Sequence, residues 1–101
     1  MITKGLIVRL EARSGREETV AGFLRDAIEL VQEESQTIAW FAVRIDASTF
    51  AIVDAFPDEA GRQAHLGGAV AAALQEKGAE LFATPPVIEP VDVISSKLPQ
   101  P

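Results

Sequence analysis

The sequence has no cysteine and no tyrosine, and only one histidine, one tryptophan and one methionine. Each shortage removes some chemistry. Without cysteine there is no disulfide, no thiolate nucleophile and no sulfur-ligated metal. A lone histidine excludes a multi-histidine metal site within one chain. The absence of tyrosine takes a common phenolic donor out of any pocket. Basic residues are also scarce: 9 Lys and Arg stand against 15 Asp and Glu, a formal charge of -6. That balance disfavours nucleic acid and anionic membrane as partners, since both need a basic patch. No run approaches the roughly 20 apolar residues of a membrane span. The apolar run near the N-terminus is short and broken by charges, unlike a secretory signal. A cytoplasmic location is expected.

What the chain does have is apolar residues, 48% of 101. A domain of this size buries only part of its surface, so this share predicts extra burial against a partner. One domain over residues 1–101 is expected.

Periodicity gives the elements. Lys4–Arg13 alternates, with Leu6, Val8, Leu10 and Ala12 on one face, as in a strand. Ser14-Gly-Arg-Glu17 has capping-box form, and a helix should run on to about Glu34. Val20, Phe23, Leu24, Ala27, Ile28 and Val31 form its apolar stripe. Thr37–Ile45 and Phe50–Phe56, joined by the short turn Asp46–Thr49, predict an antiparallel hairpin. Both faces of that hairpin are largely apolar. A sheet with helices on one side would leave the second face to water, so burial by another copy is expected.

Pro57 suits a first helical turn, and Asp58 and Glu59 suit the positive end of a helix dipole. That helix should reach Leu66 and break at Gly67-Gly68. Ala69–Lys77 predicts a further helix, interrupted at Gly78. Pro85-Pro86 ends helical structure. Val87–Ser95 is the last expected strand, and Pro90 within it requires an edge position or a bulge. Ser96–Pro101 reads as a C-terminal tail. The order β-α-β-β-α-β is an α+β, ferredoxin-like pattern with an antiparallel sheet, whose first strand and the strand after the hairpin should be central.

The stretch Phe50–Gly68 carries a family signal. A strand bearing Asp54, then Phe56, then Asp58-Glu59-Ala60, then Ala64-His65-Leu66 resembles the antibiotic biosynthesis monooxygenase family of dimeric α/β barrels. In that correspondence Asp54 stands for the family's acidic residue, Phe56 for its tryptophan, Ala60 for its alanine and His65 for its histidine. Phe56 departs from the pattern, because phenylalanine has no N–H donor. The resemblance implies a homodimer built through sheet faces and a small pocket between sheet and helices. It implies cofactor-free monooxygenation of a small aromatic or quinol-like compound, in which the electron-rich substrate anion itself reduces oxygen. Two alternatives stay open: a non-catalytic dimeric binder of a small apolar metabolite, and a haem-handling relative.

The candidate site residues follow. His65 can serve as general acid or base, since its ordinary pKa suits proton transfer. It can equally be an axial haem ligand, or a helix-end histidine tied to free carbonyls. Asp54 shares a strand face with Phe50, Ile52 and Phe56, where it can act as a base with His65 or pair with Arg44 or Arg62. Trp40 and Arg44 share a face of the neighbouring strand and can hold an anionic aromatic ligand. Trp40 can instead be an interface anchor, and Arg44 a salt-bridge partner. Phe23 and Phe56, with Trp40, are expected to wall the cavity. Arg62 reads as an exposed helix arginine. Asp58 and Glu59 diverge on their helix, so no metal is expected.

Overall fold

The alternation of the first segment places β1, Lys4–Glu11, at the centre of a four-stranded sheet. In the computed structural model, which describes residues 1–99, β1 is followed by α1 (Glu17–Val31), β2 (Ala39–Arg44) and β3 (Thr49–Phe56). Next come α2 (Glu59–Leu66), α3 (Ala69–Leu81) and β4 (Val87–Asp92). The sheet order is β2-β3-β1-β4, antiparallel at every pairing. This is the expected α+β, ferredoxin-like arrangement, with the second helical segment split in two. The strand after the hairpin, β4, lies at the edge rather than at the centre: it pairs only with β1, while β3 pairs with both β1 and β2 and takes the central place. Pro90 lies on the edge strand β4, where its missing N–H costs no ladder bond. The tail from Ser96 forms no helix or strand as far as Pro99. Gln100 and Pro101 lie outside the described residues.

The register sorts the side chains. Leu6 faces Asp54, Val8 faces Ile52 and Leu10 faces Phe50 across β1 and β3. These residues are buried under the helices. Val20 and Leu24 of α1, with Val70, Leu74 and Leu81 of α3, complete the core with Phe82. The opposite face is different. Ile7, Phe41, Val43, Val53 and Val87 all remain exposed there, Phe41 at 59%.

Several boundaries differ from the sequence expectation. Ser14 does not cap α1: Gly15 turns at φ 86, and Arg16 holds the N-cap position without a side-chain bond. The turn consumes the segment that a capping box would have used. Pro57 precedes α2, and Asp58 is its N-cap, accepting from the Gly61 N–H at 3.0 Å. Gly78 does not interrupt α3, which continues to Leu81. A mid-helix glycine costs only about 1 kcal/mol, less than the burial of Leu81 and Phe82 returns. Arg62 is buried rather than exposed. It pairs with Glu59 and donates to the carbonyls of Gly5 and Val91 at 3.2 and 3.1 Å. It thereby fastens α2 across β1 and β4.

Candidate functional site

Beyond Gly67, Gly68 starts α3 in a new direction, so α2 ends with His65 turned into the protein. The side chain of His65 is only 7% exposed, and that of Asp54 is fully buried. His65 Nε2 lies 3.0 Å from Asp54 Oδ2, although the ring N–H is not directed at that oxygen, which has no hydrogen-bond partner. On the other side, His65 Nδ1 lies 2.5 Å from Glu34 Oε1. The same Glu34 oxygen accepts from the Thr37 hydroxyl at 2.7 Å. The imidazole is therefore clamped between two carboxylates from separate parts of the chain. Phe56 packs against it with ring centroids 5.3 Å apart.

The electrostatics follow from this geometry. Burial, the largest single influence, pushes the His65 pKa down. Asp54 and Glu34 together overcome that penalty and leave it raised above the ordinary 6.5. The strongest contact of the ring is at Nδ1, so Glu34 fixes its orientation. Nε2, poorly aligned with Asp54, is the nitrogen freer to exchange a proton.

His65 also lines a cleft of about 680 Å³ between the sheet and α3. Leu6, Val8, Ile52, Val70, Leu74 and Phe82 give it apolar walls. Arg13, Gln75 and Thr84 supply the other polar side chains. The volume suits a small organic molecule.

The structure brings only some of the expected site residues together. His65 lines the cleft, and Asp54 and Phe56 contact its ring without lining the cleft themselves. Trp40 sits opposite Asp54 in the register, yet it lines a different groove of about 430 Å³ beside α1, together with Arg44. Arg44 bonds Glu18 at 2.8 Å and lies over the Phe50 ring at 4.9 Å, so it pairs with neither Asp54 nor the cleft. Phe23 packs on the core and lines neither space. Trp40 Nε1 is buried without a partner. Glu34 escaped sequence reasoning. It lies past the end of α1 in no periodic pattern, and only the chain reversal before β2 carries it to His65.

Nδ1 of His65 is bonded to Glu34, and an iron carried by a porphyrin at Nε2 would meet Asp54, whose Oδ2 lies 3.0 Å from that nitrogen. The residues present do not fit that group. Among the described residues no cluster of histidine, cysteine and acidic side chains could hold a metal ion, and no helix is long and apolar enough to cross a membrane.

Comparison with solved structures gives a relative at high identity. The NE2512 protein of unknown function from Nitrosomonas europaea is 50% identical over 100% of this chain and 98% of its own, with a TM-score of 0.98. The chain belongs to the family of NE2512. At 16% identity it also resembles a candidate antibiotic biosynthesis monooxygenase from the same organism, with 91% of this chain and 90% of that one covered and a TM-score of 0.80. A candidate antibiotic biosynthesis monooxygenase from Caulobacter crescentus matches at 16% identity and a TM-score of 0.69, over 93% of this chain and 92% of its own. These two likenesses establish the fold they share with the NE2512 family. No protein-family model and no curated protein matches the chain.

Proposed function

We propose that the chain is a cofactor-independent monooxygenase acting on a small aromatic or quinol-like substrate held in the cleft beside His65. The observation that carries this reading is a buried histidine, clamped by Glu34 and Asp54, at the wall of an apolar cleft of substrate size. The fold shared with candidate monooxygenases agrees with it.

In this reading a phenolic substrate lies against His65. The neutral imidazole, its Nδ1–H held toward Glu34, takes the phenol proton on Nε2. Asp54 stabilises the resulting imidazolium. The phenolate gives one electron to dioxygen, and the resulting radical pair forms a C–O bond at a ring carbon bearing hydrogen. The peroxide then loses water and leaves a quinone. One oxygen atom enters the product. The other leaves as water with the phenolic and ring hydrogens, so no external reductant is consumed. The apolar walls keep water from the radical pair.

Oxygen uptake with a panel of naphthols and anthrones tests the reading, with ¹⁸O₂ to follow one atom into the quinone. Turnover above autoxidation that falls about a hundredfold in His65→Gln is expected. No uptake above autoxidation with any member of the panel overturns it.

The same proposal includes a homodimer. The open sheet face, with Ile7, Phe41, Val43, Val53 and Val87 exposed, faces its own copy across the two sheets. Each side chain of that size gains about 1.5–3 kcal/mol on full burial, which favours covering the face.

A further inference from the structure

The chain carries 15 acidic residues against 9 basic ones, yet no Asp or Glu lines the cleft. The titratable side chains that do line it are Arg13 and His65. They mark its two ends. His65 sits just before α3 begins. Arg13 is tied to the far end of that helix, its backbone N–H donating to Leu81 O at 2.8 Å and its Nε to Ala79 O at 2.8 Å. The rise of an α-helix puts Val70 and Ala79, both in the lining, about 14 Å apart.

The anchoring of Arg13 matters. Its Nε is spent on a carbonyl at the negative end of α3, which holds the guanidinium at the cleft mouth. Its two terminal nitrogens carry no hydrogen bond to the described residues, and no described carboxylate comes within ion-pair distance of it. A pre-positioned guanidinium with free donors matches a carboxylate or similar oxyanion. The walls between Arg13 and His65 are apolar.

From this we infer that the cleft takes a fused-ring aromatic compound carrying an oxyanion at one end, with Arg13 binding the oxyanion and the ring system reaching along α3 to His65. The inference rests on the reading of the cleft as a substrate site and names the substrate class. Arg13 is then a specificity-determining residue. Its distance from His65 keeps it out of the proton transfer.

The test is binding of two non-reacting fluorescent probes, anthracene-2-carboxylate and anthracene-2-carboxamide, by fluorescence titration. Because neither probe turns over, the result is independent of whether oxygen is consumed. The carboxylate should bind about tenfold more tightly than the amide. Arg13→Gln should abolish that preference while leaving the amide affinity unchanged, and Arg13→Lys should restore part of it. Equal affinity of the two probes for the wild type overturns the inference, as does binding of neither. A preference that survives in Arg13→Gln, or amide affinity that falls in step with that of the carboxylate, removes Arg13 from the role.

Discussion

At the scale of single residues, the decisive feature is the clamp on His65. Glu34, Asp54 and His65 are withdrawn from water together, and the two carboxylates outweigh the desolvation of the imidazolium. Because His65 is the only histidine, its imidazole can be followed alone by NMR. Its midpoint should lie above 6.5, and Asp54→Asn should lower it. A wild-type midpoint at or below 6.5 would contradict the clamp. The sign for stability follows. A histidine pKa raised in the folded state stabilises the fold fully below about 6.5, and that contribution fades as pH rises through the folded value. Melting temperatures of wild type and His65→Gln should therefore converge as pH is raised through that value. If the reaction uses neutral His65 as base, its rate should rise over the same interval. Asp54 and His65 could be paired on paper from the strand-helix junction. Glu34 could not, since sequence separation hides a contact that depends on how the α1–β2 connection folds back.

Among the elements, α2 matters most, because it delivers His65 to Asp54 of β3 and Arg62 to β1 and β4. Its start depends on the Asp58 cap. Asp58→Ala should cost about 1 kcal/mol, or roughly 4–8 °C in melting temperature for a domain this size, which calorimetry would register. Its end depends on Gly68. A Cβ there would lie 2.9 Å from Glu34 Oε2 and 3.2 Å from the His65 carbonyl, so a larger residue would push on the clamp itself. The strands and the helical stripe of α1 were legible from periodicity, because burial on one face repeats at the period of the element. The capping of α1 and the persistence of α3 through Gly78 were not. There a local preference worth about 1 kcal/mol was outweighed by the turn at Gly15 and by the packing of Leu81 and Phe82.

For the molecule as a whole, the two faces of the sheet have different fates. One is covered by α1 and α2, with Val70, Leu74 and Leu81 of α3 reaching the same core. The other presents apolar residues from every strand and is the proposed dimer face. Light scattering at micromolar concentration should give twice the 10.8 kDa chain mass, and Val53→Glu, on central β3, should give a monomer. A monomeric wild type would remove the dimer.

The sequence by itself determined the order of elements, the restriction of the proline-bearing strand to an edge or a bulge, and the apolar character of both hairpin faces. These are properties of neighbouring residues, and periodicity and backbone restriction express them directly. The tertiary structure alone decided which candidates share a site. It put Trp40 and Arg44 in one groove and His65 in another, brought Glu34 to the imidazole, and carried Arg13 from the end of β1 to the far end of α3. Each of these is a contact between segments distant in the chain. Sheet register and helix placement set such contacts, and no local pattern records them.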